Sequence, residues 1–122
     1  MENSIKLSAS VPRMSSLEMD PEEFRRLGYK AVDYAAEFLS ALPSRAVTKG
    51  EPPEIIRSLL GTGWLPENGS DPQQLLDRIA PLLFEHSLFN GHPKFWGYIT
   101  SSAAPIGALG DLLASTINPN VG

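Results

Sequence analysis

Apolar residues recur at spacings of three and four positions in several segments of the chain, which is the pattern of an amphipathic α-helix. The longest segment covers residues 20–43 and would form a helix roughly 30 Å long. Asp20 is placed as its N-cap, Pro21 as its first residue and Glu23 as the partner that closes a capping box. Pro43 ends the pattern because proline cannot continue a helix. The apolar stripe comprises Phe24, Leu27, Ala31, Tyr34, Ala35, Phe38 and Leu42.

Two shorter amphipathic segments lie further along the chain. A short helix is predicted to follow Pro52 and Pro53 and to end near Gly61, since glycine is favoured just beyond a helix C-terminus. A final helix is predicted to stop at Asn118 and Pro119. The apolar positions are Ile55, Ile56, Leu59 and Leu60 in the short helix and Ile106, Leu109, Leu112, Leu113 and Ile117 in the final helix.

A further helix is predicted between these two. Asp71, Pro72 and Gln74 repeat the pattern of an N-cap, a first helical residue and a third-position partner. Pro81 lies inside the apolar pattern that follows, so we expect a kink or break of the helix at that residue. The apolar positions of this helix are Leu75, Leu76, Ile79, Leu82 and Leu83.

These patterns predict an all-α fold. The stretch "FNGHPKFWGYITSS", residues 89–102, is predicted to form a turn followed by an extended segment between two helices. Residues 1–19 contain many serines and no sustained period, so they are predicted to be a flexible leader. The folded part of the chain is therefore expected to be residues 20–122.

Composition excludes several classes of function. The net charge is -4 and the basic residues are scattered, which argues against a nucleic-acid surface. The absence of cysteine excludes a disulfide framework and thiol catalysis, and it fits a reducing compartment. No apolar run approaches the roughly 20 residues of a membrane span, and residues 1–19 lack the pattern of a secretory signal. We therefore expect a cytoplasmic protein that binds neither nucleic acid nor membrane.

The chain offers little chemistry of its own. His86 and His92 have no carboxylate at the helical spacing that would direct two ligands toward one metal ion. His86 is best explained as a residue at a helix C-terminus, where positive charge is favoured, and the role of His92 stays open. Ser101 and Ser102 lack the motif of an activated nucleophile and are expected to cap the final helix. No metal site and no catalytic residue is therefore predicted.

Two segments carry a family resemblance. "MDPEEFRRLGYKAVDYAAEFL" and "GHPKFWGYITSSAAPIGALGDLLASTINPNVG" together resemble the amino-terminal region of the pyridoxal-phosphate-dependent group II decarboxylases, the family of aromatic-L-amino-acid decarboxylase. The two motifs stand in the family's order, with the loop "GTGWLPENGSDP" between them. In that family this region is a helical extension of a fold type I enzyme and packs across a dimer. The resemblance implies that residues 20–122 are a dimerisation and substrate-side segment, and that a large α/β catalytic domain is missing from the chain.

The resemblance also implies a cofactor, pyridoxal 5'-phosphate. The family binds it through a lysine that follows a histidine, an aspartate at the pyridine nitrogen and a histidine stacked on the ring. None of these three residues is identifiable in this sequence. In particular, no lysine follows a histidine. The lysines are Lys6, Lys30, Lys49 and Lys94. We therefore expect the missing domain to bind the cofactor, and the isolated chain to be inactive.

Substrate-side positions follow from the same resemblance. Tyr98 matches an aromatic residue that lines the substrate side of the family pocket, and Ser101 matches a hydroxyl residue that contacts the substrate. Thr100 stands where proline is frequent, and Ile99 stands where a second aromatic residue is common. Asn120 lies in a stretch that resembles the one reaching the neighbouring subunit's active site. The departures from the family pattern at Thr100 and Ile99 leave the substrate amino acid unassigned.

Two functions are therefore considered. The first is the amino-terminal part of an amino acid decarboxylase, which contributes contacts of a homodimer and one wall of the substrate pocket. The alternative is a non-catalytic helical association module from a truncated gene product. An aminotransferase or aldehyde-forming parent with the same cofactor stays open. Phe95 and Trp96 are expected to pack against the larger domain, and the isolated chain is expected to self-associate through unpaired apolar faces.

Overall fold

The computed structural model describes residues 18–61, 63 and 67–119. The helices are α1 (Pro21–Ala41), which a 3₁₀ turn (Leu42–Ser44) follows directly, α2 (Pro53–Leu60), α3 (Pro72–His86) and α4 (Pro105–Ile117). These residues contain no β-strand, so the predicted all-α class is confirmed for the described part of the chain. No helix in these ranges is long and apolar enough to cross a membrane. The predicted leader lies outside the described residues except for its last two positions.

The start of α1 follows the prediction with one exception. The Asp20 carboxylate accepts hydrogen bonds from the backbone N–H groups of Glu22 at 2.9 Å and Glu23 at 3.4 Å. Glu23 was expected to close a capping box, but its carboxylate lies 3.9 Å from the Arg26 guanidinium. The long arginine side chain one turn away offers this carboxylate an opposite charge.

α1 packs against α3, and a carboxylate joins the two helices at this contact. Asp77 of α3 accepts hydrogen bonds from the Tyr34 hydroxyl at 2.9 Å and from the Gln73 amide at 2.8 Å, and the Lys30 ammonium lies 2.5 Å away. The hydrogen bonds from Lys30 and then Gln73 lower the pKa of Asp77 to about 2. The hydrogen bond to Asp77 raises the pKa of Tyr34. The contact thus pairs polar groups from both helices.

Of the kink or break expected at Pro81, the break is wrong, because α3 runs without interruption from Pro72 to His86, and the kink stays a prediction. Proline removes one backbone hydrogen bond from a helix and disturbs the preceding turn. Pro81 lines a small cavity together with Tyr34 and Phe38 of α1. The packing of α3 on α1 therefore stabilises the helix across the proline.

The other helix boundaries also test the sequence patterns. The Asp71 carboxylate accepts a hydrogen bond from the Gln74 N–H at 2.8 Å, as expected for an N-cap. Gly61 follows α2 with a φ of +80°, and Asn118 follows α4 with a φ of +42°. These boundaries are confirmed, since glycine and asparagine tolerate the positive φ of many helix ends.

The predicted cap of α4 is wrong. Its N-cap is Ala104, which offers no side-chain hydrogen bond, and the helix begins at Pro105. Ser101 and Ser102 lie too far before this start to reach its free N–H groups. Proline at the first helical position sets the start, because its ring fixes a helical φ.

A small core lies where the end of α1 meets the end of α3. The Phe38 ring stacks on the Phe84 ring at a centroid distance of 4.8 Å and lies 5.1 Å from the Phe89 ring. Arg45 covers this cluster, since its guanidinium lies 5.6 Å from the Phe38 ring and donates a 2.6 Å hydrogen bond to the Phe84 carbonyl. The buried hydrophobic residues of the described chain are Leu27, Leu42, Ala80 and Phe89.

The apolar faces of α2 and α4 are not covered by other described residues. Neither helix has a buried residue within the described chain. The large apolar residues of α4 are exposed; they are Ile106, Leu109, Leu112, Leu113 and Ile117. A helix that is apolar over most of its surface normally lies inside a larger protein or assembly.

Candidate functional site

Tyr98 lies in the irregular segment between α3 and α4, and 89% of its surface is exposed. Its φ of +60° lies in the left-handed region, which costs a residue with a Cβ atom about 1–3 kcal/mol. Strained backbone of this kind concentrates at binding and catalytic sites. Tyr98 therefore does not pack in the core of the described chain.

Phe95 and Gly97 shape the backbone immediately before Tyr98. A Cβ atom built on Gly97 would lie 3.1 Å from Cζ and 3.3 Å from Cε2 of the Phe95 ring. The ring therefore occupies the space that a side chain at position 97 would need. Trp96, between them, is 92% exposed. The expected packing of Phe95 and Trp96 against a larger domain stays a prediction.

Ser101 lines a cavity of about 450 Å³ between the end of α1 and the turn that follows α3. Ser102, the next residue, lies next to this turn. A Cβ atom built on Gly91 would lie 3.3 Å from the Cβ atom of Ser102. Thr100 is exposed and, like Tyr98, is not among the residues that line this cavity. All three residues are exposed, and of the three only Ser101 also lines this cavity. Asn120 lies outside the described residues.

His92 is a buried residue whose role the sequence left open. It is only 3% exposed. Its Nε2 lies 2.9 Å from the Arg45 carbonyl oxygen, and its Nδ1 accepts a 3.0 Å hydrogen bond from the Lys94 backbone N–H. No helical period or metal-ligand spacing marks this position, since the contact joins residues 47 positions apart. The local sequence distinguished His92 only by the proline that follows it, Pro93.

His86 ends α3, as predicted from the helix pattern. Its Nδ1 lies 2.5 Å from a carboxylate oxygen of Glu51. Beside it, the Lys49 ammonium donates a 3.1 Å hydrogen bond to Glu85 and lowers the pKa of that carboxyl. These two pairs tie the linker before α2 to the end of α3.

The described lysines do not form a site for an aldehyde cofactor. Lys30 and Lys49 are paired with Asp77 and Glu85, respectively. Lys94 is exposed at the turn after His92. A cofactor of the pyridoxal phosphate type needs a lysine within a pocket that also holds its ring and phosphate. The described residues do not fit that requirement, so no chemical step is assigned to a cofactor on this chain.

Curated proteins similar to this chain are amino acid decarboxylases. An aromatic-L-amino-acid decarboxylase of Bacillus atrophaeus is 35% identical over 103 residues, which cover 84% of this chain and 21% of the relative. Tyrosine decarboxylase 3 of Petroselinum crispum is 28% identical over 113 residues, covering 93% and 21% of the two chains. A histidine decarboxylase of Homo sapiens is 29% identical over 100 residues, covering 82% and 15%.

The chain thus spans about a fifth of the length of the first of these relatives. No family model and no solved structure matches it. The helical fold and the order of the two motifs agree with the curated similarities. This chain therefore matches the amino-terminal region of the group II pyridoxal-phosphate-dependent decarboxylases.

Proposed function

We propose that this chain is the amino-terminal part of a pyridoxal-phosphate-dependent amino acid decarboxylase, in which it forms one wall of the substrate pocket and contributes contacts of a homodimer. The observation that carries the proposal is the 35% identity to an aromatic-L-amino-acid decarboxylase over 84% of the chain. The exposed, strained conformation of Tyr98 supports its place in the pocket wall. The catalytic lysine belongs to the rest of the parent enzyme.

The proposed substrate is an amino acid with an aromatic or imidazole side chain. The relatives named above act on aromatic amino acids, tyrosine and histidine. Ile99, beside Tyr98, is fully exposed but departs from the family's aromatic residue, so the substrate proposal rests on the relatives and not on this position. Carbon dioxide release by the parent enzyme from tyrosine, tryptophan and histidine, with glutamate as the acidic comparison, tests this assignment.

In this proposal the chain orients the substrate. A cofactor held by the rest of the parent enzyme would supply the electron sink, and the described residues of this chain would not hold it. Tyr98 packs its ring against the substrate side chain, and its hydroxyl can hydrogen-bond to the substrate. Ser101 and Thr100 add hydroxyl groups beside it, and Asn120 acts across the dimer. Holding the reacting bond in one geometry is a large part of what a pocket wall contributes to rate.

The proposed dimer contact is an apolar groove along α1 and α3. The groove encloses about 690 Å³, and its lining is mainly apolar. It includes the exposed rings of Phe24 and Tyr29. A second copy of the chain would remove these side chains from water. Burial of apolar surface is the dominant favourable contribution to most protein–protein association.

Replacing Tyr98 tests the pocket wall directly. We expect Tyr98→Ala in the parent enzyme to lower kcat/KM at least about tenfold, equivalent to about 1.4 kcal/mol of transition-state stabilisation. Cofactor affinity, dimerisation and melting temperature should stay near those of the wild type, because in this proposal Tyr98 faces the substrate, whereas Trp96 is expected to pack against the larger domain. Kinetics and thermal melts on the same preparation distinguish a role in the pocket wall from a role in packing.

Trp96→Ala is the matched control, because Trp96 is equally exposed and lies two positions away. It should change the melting temperature of the parent more than its kcat/KM. A Tyr98→Ala variant with a large loss of melting temperature and unchanged activity per cofactor-loaded site would remove Tyr98 from the pocket wall. It would then be a packing residue against another part of the parent enzyme.

The association-module alternative has its own test. We would read the coding sequence beyond Gly122 in the source genome. A continuing frame with a histidine-lysine motif supports the decarboxylase. A stop codon, together with binding of the purified chain to a full-length decarboxylase subunit and no activity of its own, supports the module.

A further inference from the structure

His92 is more deeply buried than any hydrophobic residue of the described core. It is 3% exposed, whereas the buried hydrophobic residues are 7–8% exposed. A buried imidazole is costly unless its ring nitrogens have partners. Both nitrogens of His92 have backbone partners, and these partners belong to two different parts of the chain.

The partners define the protonation state of the ring. Nδ1 faces the N–H of Lys94 at 3.0 Å, so it must accept a hydrogen bond. Nε2 faces the carbonyl oxygen of Arg45 at 2.9 Å, so it must donate one. A neutral imidazole with its proton on Nε2 satisfies both requirements. Each bond depends on a different nitrogen, so the ring joins the two backbone segments.

On the Nε2 side, His92 is attached to the core. The carbonyl group that it contacts belongs to Arg45, whose guanidinium donates a 2.6 Å hydrogen bond to the Phe84 carbonyl. The same guanidinium lies over the Phe38 ring. Residue 45 is therefore held by both α1 and α3, and it gives the imidazole a fixed point.

On the Nδ1 side, His92 is attached to the segment that carries Tyr98. The Lys94 N–H bonds to the ring, and the Phe95 N–H bonds to the His92 carbonyl oxygen at 2.9 Å. The Phe95 ring in turn lies beside Gly97, in the space that a Cβ atom at position 97 would need. Gly97 is followed directly by the strained backbone of Tyr98. A continuous set of contacts thus runs from the core, through His92, to Tyr98.

We propose that His92 is a positioning residue, which places the Tyr98 segment on the helical core through its two backbone hydrogen bonds. The inference rests on the proposed role of Tyr98 in the substrate pocket. His92 does not touch the substrate. It acts through the segment that does, and its effect on the reaction requires Tyr98.

The kinetic test uses the parent enzyme that contains this chain. His92→Ala removes both bonds and should lower kcat/KM at least about tenfold per cofactor-loaded site, because small displacements of a positioning group reduce rate strongly. His92→Asn keeps an acceptor near the Nδ1 position, and His92→Gln keeps a donor near the Nε2 position. Each amide should recover part of the loss. His86→Ala, the other histidine of this chain, is the control and should leave kcat/KM unchanged.

A double-mutant cycle separates positioning from simple folding. If His92 acts through Tyr98, His92→Ala should cost little further kcat/KM in a Tyr98→Ala background. Additive losses overturn the proposal. A His92→Ala enzyme with wild-type kcat/KM per folded site and only a lower melting temperature overturns it as well. If the alanine variant does not fold, the Asn and Gln variants are compared in the same cycle.

Hydrogen exchange provides a readout that does not depend on the reaction. The Lys94 amide of the parent should be protected in the wild type and in His92→Asn, and it should exchange faster in His92→Gln. Equal exchange in all three proteins overturns the proposal. If the protection pattern holds but the parent releases no carbon dioxide from any amino acid tested, the decarboxylase assignment fails and the His92 linkage stands.

Discussion

At the scale of single residues, the conformation of the segment before Tyr98 depends on the glycine at position 97. Gly97 has no Cβ atom, and the Phe95 ring occupies the place where one would lie. A methyl group 3.1 Å from the ring carbon is closer than ordinary van der Waals contact, so the ring or the backbone must move. Because Tyr98 follows directly, any movement of the backbone reaches the proposed pocket wall.

Gly97→Ala should therefore destabilise the protein by about 1 kcal/mol and lower kcat/KM of the parent several-fold. Gly28→Ala is the matched control, since Gly28 lies inside α1 and an added Cβ meets no atom within 4 Å. Alanine there should raise stability by roughly 0.5–1 kcal/mol through its better helix propensity. Thermal melts of both variants are compared. If the melting temperatures of both variants shift in the same direction from that of the wild type, the steric explanation is contradicted.

At the scale of secondary-structure elements, α1 and α3 are joined by a carboxylate whose partners come from both helices. Asp77 of α3 receives the Tyr34 hydroxyl and the Lys30 ammonium from α1. Arg26 of α1 also donates a hydrogen bond to the Gln73 side chain of α3. These contacts are partly exposed, so their contribution to stability is modest and depends on salt. Their geometry nevertheless selects one register of the two helices.

The Asp77 contact predicts an acid-sensitive stability. Its pKa is lowered from 3.8 to about 2 in the folded state, so the carboxylate contributes stability above about pH 4. That contribution is lost as the pH falls through about 2, where the folded protein also takes up the proton. We expect the melting temperature of the wild type to exceed that of Asp77→Asn at pH 6 and to converge with it near pH 2.

Asp33→Asn is the control for this pH series, because Asp33 is an exposed carboxylate of α1. It removes the same charge without touching the contact between the helices. A difference between wild type and Asp77→Asn that stays constant from pH 6 to pH 2 would show that the carboxylate charge does not stabilise the helix pair.

At the scale of the whole molecule, the described chain exposes far more apolar surface than it buries. Four hydrophobic residues are buried, whereas both aromatic and aliphatic side chains are exposed along α1, α3 and α4. Exposed apolar patches of this extent mark interaction surfaces in stable proteins. Leu112 of α4 also lines the groove along α1 and α3, so the exposed apolar side chains of these three helices meet at one surface.

We therefore expect the isolated 122-residue chain to self-associate. Size-exclusion chromatography with light scattering should give a mass above the 13.3 kDa of one chain, with heterogeneous species at higher concentration. Leu75→Glu, which places a charge in the groove, should shift the mass toward that of a single chain. A monodisperse monomer with a sharp, cooperative melting transition would contradict this expectation.

Local sequence patterns accounted for most of the fold. Asp20 and Asp71 cap their helices as predicted, and Gly61 and Asn118 end theirs, because caps depend on side chains and φ angles within a few residues. The site was less accessible to such patterns. Motif resemblance named Tyr98, Thr100 and Ser101 as substrate-side residues, which stays a prediction, and it carried no information about which of these exposed residues also lines a cavity.

The sequence by itself therefore determined the helices, most of their boundaries and the family that the chain resembles, since each rests on short-range chemistry or on the order of motifs. Tertiary structure decided the outcomes that depend on distant residues. Pro81 stays within a continuous helix because α1 packs beside it. His92 becomes the most buried polar residue of the described chain because the Arg45 carbonyl, 47 positions away, meets its ring. A hydrogen bond between two such positions leaves no periodic trace along the chain, so only the folded structure shows it.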